Sequence, residues 1–85
     1  MKIRTNEEAR LFESVIDSCK DAVYLVTYEG EQYDLKTPYG RHIGIALMMD
    51  VKEAYMEPEI FTNSTHDEAL IVKYIYQTMN YTWAA

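Results

Sequence analysis

Residues 22–37, AVYLVTYEGEQYDLKT, leave the backbone little choice. Two short runs rich in β-branched and aromatic side chains flank Glu29-Gly30, a spacing that closes a β-hairpin. Two registers are open. With Glu29-Gly30 as a two-residue loop, Val26 faces Tyr33 and Tyr24 faces Leu35. With Gly30 as the left-handed bulge residue after a type I turn, Leu25 faces Tyr33 and Val23 faces Leu35. A one-residue slip exchanges the two faces of the sheet. The second register is preferred, because Glu tolerates positive φ poorly and Gly adopts it freely. It sends Val23, Leu25, Tyr33 and Leu35 to the core and Tyr24, Val26, Gln32, Asp34 and Lys36 away from it. The outer face keeps an aromatic and a β-branched residue, so part of it is expected to be covered.

The remaining elements are laid around this ribbon. Met1 to Arg4 is a polar lead-in or an edge strand. Thr5 with Glu8 forms a capping box, and Glu7 and Glu8 suit the positive end of a helix dipole. Ala9, Phe12, Val15, Ile16 and Cys19 recur at helical spacing, Leu11 widening the stripe, which predicts a helix over Asn6–Cys19. Thr37-Pro38 is a helix start, a hydroxyl cap followed by proline at the first position, and the second helix should run from Pro38 to Met49. Its apolar residues Ile43, Ile45, Ala46, Leu47, Met48 and Met49 exceed one stripe and predict burial on more than one side, or a partner. Gly40 and Gly44 permit tight packing on the sheet. Asp50 to Met56 reads either as a prolonged helix or as an irregular connection. Pro58 ends any helix there, Glu59 to Thr62 reads as a strand with one apolar residue toward each face, and Asn63-Ser64-Thr65 begins a third helix. Ser64 with Asp67, or Thr65 with Glu68, offers its capping box. Ala69, Leu70, Val72, Tyr74, Ile75 and Met79 supply its core face to about Thr78. Tyr81 and Trp83 either fold back onto the sheet or fray. The order α-β-β-α-β-α predicts an α+β fold: one domain, a two-layer sandwich with a small antiparallel or mixed sheet and helices on one face.

Composition narrows the function classes. Fourteen acidic residues against eight basic ones give a net charge of −6. That argues against direct binding of nucleic acid or of anionic membrane. Eight tyrosines, beside two Phe and one Trp, suit half-buried boundaries and interfaces. The single cysteine, Cys19, falls on an apolar helix face and reads as a buried, inert thiol. Nothing resembles a signal peptide or a membrane span, which points to the cytoplasm.

Reactive groups are scarce. His42, His66, Cys19 and the carboxylates show no metal-ligand spacing, and no serine sits in a GxSxG elbow. Gly30, Gly40 and Gly44 match no phosphate-cradling loop. No catalytic residue, metal or cofactor is expected, and the chain is read as non-enzymatic.

Ala9-Arg10-Leu11-Phe12, Lys20 through Val26, Glu29-Gly30-Glu31, Asp34-Leu35-Lys36-Thr37 and Gly44-Ile45-Ala46-Leu47, with His66-Asp67-Glu68-Ala69-Leu70 at the last helix start, resemble the histidine-containing phosphocarrier family (HPr). The likeness covers residues 9–76. It implies that family's fold and makes Thr37 the counterpart of its regulatory phosphorylation site. The family's first strand and its phosphorylatable histidine are missing, since Thr5 to Glu8 holds no His. The resemblance therefore implies a degenerate relative that does not carry phosphate on histidine.

The expected role is a small binding or regulatory protein acting through contacts with a protein partner or a second copy. Tyr24, Tyr39, Ile45, Met48, Met49 and Tyr55 are the candidate contact residues. One alternative is an acidic mimic of nucleic acid that inhibits a host or defence enzyme, using Glu29, Glu31, Asp34, Glu53, Glu57 and Glu59, with Asp17 and Asp21 beside them. The other is an HPr-like regulatory protein.

Overall fold

The computed structural model describes the backbone of residues 1–84 and the side chains of residues 1–78. The elements in order are α1 (Asn6–Ser18), β1 (Val23–Val26), β2 (Gln32–Asp34), α2 (Pro38–Met49), a single 3₁₀ turn (Ala54–Met56), β3 (Glu59–Thr62) and α3 (Thr65–Ala84). The three strands form an antiparallel sheet in the order β2-β1-β3. The α-β-β-α-β-α fold is α+β, with the helices packed on one face of the sheet.

The hairpin adopts the bulged register. Gly30 has φ +91°, its N–H donates to the Thr27 carbonyl at 2.9 Å, and Thr27 N–H donates to Glu31 O at 2.9 Å. Leu25 therefore lies opposite Tyr33, and Leu35 N–H donates to Val23 O at 2.8 Å. Val23, Leu25 and Leu35 are fully buried, and Tyr33 packs half-buried against them.

Helix ends follow the hydroxyl and proline signals. Thr5 Oγ1 accepts from Glu8 N–H at 3.1 Å, while the Glu8 carboxylate accepts from Arg4 N–H at 3.0 Å. Thr37 Oγ1 accepts from Gly40 N–H at 3.1 Å and donates to Asp34 O at 2.8 Å. Ser64 Oγ accepts from Asp67 N–H at 3.2 Å. The last turn of α1 has no basic residue of its own. Lys36 Nζ supplies one from across the fold, donating to Ile16 O at 3.0 Å and Cys19 O at 2.7 Å.

One core joins all the layers. Phe12 and Ile16 of α1, Ile71 and Tyr74 of α3 and Met48 of α2 close over Val23, Leu25 and Leu35. Phe12 and Tyr74 meet edge to face at 5.5 Å, and the Tyr74 hydroxyl donates to Glu8 O at 3.2 Å. Burial pushes the Tyr74 phenol up to about 12. Gly40 and Gly44 lie at the α2–sheet contact. A Cβ on Gly44 would stand 2.6 Å from Leu35 Cδ2, and one on Gly40 would run into the Asp34 carbonyl. The glycines admit close packing of α2 on the hairpin.

Several expectations change. Residues 1–4 form no strand, but Ile3 is buried and its N–H donates to Met48 O at 3.0 Å. Leu11 does not widen the core stripe and is exposed. Val72 also faces outward, 42% exposed. Helix α3 continues past Thr78 to Ala84. The roles read for Met79, Tyr81 and Trp83 lie outside the described side chains.

Candidate functional site

The two edges of the sheet differ in what they offer. Odd-numbered residues of β1 bond to β2, as Thr27–Glu31 and Val23–Leu35 show. Antiparallel pairs alternate, so Tyr24 and Val26 bond across to Phe61 and Glu59. Ile60 and Thr62 therefore turn their N–H and C=O groups away from the sheet. On the opposite edge, β2 is only three residues long and the Asp34 carbonyl already accepts from Thr37 N–H and Oγ1. That edge is closed by the start of α2, and the β3 edge is open among the described residues.

Beside the open edge runs a groove of about 870 Å³. Helix α3 starts three residues after β3 ends and returns along it, so Glu68 lies by the Thr62 end and Ile75 and Thr78 by the Pro58 end. Ile60, Ile71, Val72 and Ile75 give the groove an apolar wall, and Met1, Lys2 and Arg4 line it at its Pro58 end. The charges at that end are largely matched. The Met1 amino group donates to Pro58 O at 2.6 Å and lies 3.5 Å from Glu57, and Arg4 pairs with Glu8 at 3.3 Å. Glu68, exposed at the other end, has no ion-pair partner among the described residues.

The candidate contact residues do not form one patch. Met48 has no exposed surface and belongs to the core, because Gly44 brings α2 down onto Leu25 and Leu35. It is therefore a core residue and not a contact residue, contrary to expectation. Ile45 is half-buried and, with exposed Met49, lines a shallow depression between α1 and α2. Tyr39 projects at the start of α2. Tyr24 lies on the outer sheet face directly opposite Phe61, which is 51% exposed and was not among the candidates. Among the described residues nothing covers that pair fully. Tyr55 meets Tyr28 edge to face at 5.7 Å, joining the hairpin turn to the 3₁₀ turn.

One acid, Glu29, acts at this aromatic contact. Glu29 lies against Tyr28 and pushes its phenol up; the register brings Glu31 and Glu59 to the same end of the sheet, opposite Thr27 and Val26, whereas Glu57 turns to the Met1 amino group. Asp34 does not join them. It lies opposite Tyr24, and its carboxylate closes a local turn by accepting from Lys36 N–H at 2.9 Å. Asp17 is paired with Arg41 at 2.7 Å.

Asp67, read from the sequence as a capping-box partner of Ser64, has a further role. It is fully buried. Its oxygens accept from Lys20 N–H at 2.9 Å and Asp21 N–H at 2.8 Å, and His66 Nδ1 lies 3.1 Å away. Burial pushes its carboxyl up, but those donors outweigh it and hold it below the ordinary 3.8. Neighbouring Cys19 is buried, and its thiol is pushed up by burial and by the Asp67 carboxylate against the pull of Lys36. No three His, Cys, Asp or Glu side chains converge into a metal-binding group among the described residues, and no helix there is long and apolar enough to cross a membrane.

The open edge and its groove were legible only in part. Glu59 to Thr62 reads as a strand, but no local pattern says that it will lie at an edge, or that Val72 will overlook it. Comparison with protein-family models, curated proteins and solved structures gives no match.

Proposed function

We propose that this chain is a non-enzymatic binding protein that holds a polypeptide partner in the groove between β3 and α3. The observation that carries the reading is the pairing of an unclosed strand edge with an apolar wall. Open edges attract other chains, and proteins that keep one usually shorten, charge or cover it. Here the edge is four residues long, has a proline only at its start, and is flanked by apolar side chains. The test is capture from the cell of origin on wild-type chain and on Val72→Arg, a change at an exposed position that fills the groove. The expected result is a partner held by the wild type and lost from the variant, with far-UV circular dichroism unchanged. Equal retention by both ends the reading.

Exposed Glu29, Glu31 and Glu59 at the hairpin-turn end of the sheet, with Glu53 just before the 3₁₀ turn, favour a second reading, an acidic surface that occupies the basic groove of a nucleic-acid-binding enzyme. Replacing Glu29, Glu31 and Glu53 by Gln should then abolish binding to such an enzyme, while Val72→Arg leaves it intact.

A further inference from the structure

We infer that the occupant of the groove is an extended strand of a partner protein, laid antiparallel to β3, with a basic residue toward its N-terminal end and apolar residues at alternate positions. This rests on the binding reading above and names the class of partner.

The backbone decides the conformation. Ile60 and Thr62 each present one N–H and one C=O outward, and an antiparallel strand exchanges both bonds with each of them. A helix satisfies its own backbone groups and would leave these four unmatched. The ladder has a natural limit, because the Met1 amino group already occupies the Pro58 carbonyl.

Side-chain rows follow from the register. Residues directly opposite Ile60 and Thr62 point to the same face of the sheet as they do, toward Ile71, Val72 and Ile75. Those two positions should be apolar. The residue two places earlier, on the same row, comes beside Glu68.

Charge sets the direction. Among the described residues neither Glu68 at the Thr62 end nor Lys2 at the Pro58 end has an ion-pair partner, and Glu59, the other unpaired charge at the Pro58 end, falls with Phe61 on the outer face of the sheet and not on the Ile60–Thr62 row. An antiparallel strand meets Glu68 with its N-terminal side and Lys2 with its C-terminal side. The pattern is basic-x-apolar-x-apolar, ending on an acid. A second copy of this chain is disfavoured as the occupant, because it would set two molecules of net charge −6 edge to edge.

The experiment uses two acetylated, amidated peptides of identical composition, KTVTVTE and its reverse ETVTVTK, titrated into the ¹⁵N-labelled full chain. KTVTVTE is expected to shift the Ile60 and Thr62 amides and slow their hydrogen exchange. The reverse peptide is expected to bind roughly 3- to 10-fold more weakly at low salt, since two ion pairs are lost. Glu68→Lys, at an exposed position, should erase the preference. Equal or better binding of ETVTVTK overturns the inference. So does peptide binding that spares Ile60 and Thr62, or slow exchange of those amides in a free chain that sediments as a dimer. If neither peptide binds while Val72→Arg still releases the captured partner, the strand inference falls and the binding reading stands. If Val72→Arg releases nothing, the binding reading falls first.

Discussion

Asp67 receives a backbone N–H on each carboxylate oxygen, from Lys20 and from Asp21, and so ties the first turn of α3 to the corner between α1 and β1. Charge-assisted bonds of this kind are stronger than neutral ones, and a buried carboxylate without them would be costly. Because the folded carboxyl is held below its ordinary 3.8, the stability it contributes is fully present above that value. It is lost as pH falls through the lower folded value. Asp67→Asn should lower the thermal midpoint at neutral pH, and the gap between variant and wild type should narrow as pH drops below the ordinary carboxyl value. Calorimetry at matched ionic strength checks this; a constant gap down to pH 2 would mean that Asp67 acts only through its shape. The sequence hid this role because a capping box with Ser64 was already a sufficient explanation for an acid at that position. Its real partners sit 46 and 47 positions away.

Elements whose boundaries depend on local chemistry were the legible ones. Gly30 fixed the hairpin register, Thr37-Pro38 fixed the start of α2, and Pro58 separated the 3₁₀ turn from β3. Elements judged by apolar count alone were less so. Helix α2 carried too many apolar residues for one stripe, and the choice of which to bury was made by Gly44, which lets Met48 and not Met49 reach the core. Gly44→Ala sets a methyl against Leu35 Cδ2 at 2.6 Å and Leu25 Cδ1 at 3.4 Å. Overpacking of this kind costs about 1–3 kcal/mol, more than the helix-propensity gain of about 1 kcal/mol. Denaturant unfolding should therefore show a net loss; a gain in stability would show that Leu35 yields without cost. Gly40→Ala should be worse, because the Asp34 carbonyl it meets is backbone and cannot rotate aside.

At the scale of the whole molecule, the central strand is paired on one side with its sequence neighbour and on the other with β3, far along the chain. The hairpin closes a short loop and should form early at low entropic cost, whereas β3 and α3 must close long ones. The groove exists only after that last docking. Its parts lie at residues 1–4, 57–62 and 68–78, which is why no single stretch of sequence announced it.

The same topology turns the lone thiol into a clock. Cys19 sits at the α1–β1 corner, and the carboxylate tethering that corner arrives from α3. During refolding the thiol should stay reactive to a small disulfide reagent until the C-terminal third is in place, well after the hairpin has formed. Pulse labelling at successive refolding times would read that moment directly, and Asp67→Asn should delay it. Shielding of Cys19 at the same instant as hairpin closure would place the assembly of the corner ahead of helix docking instead.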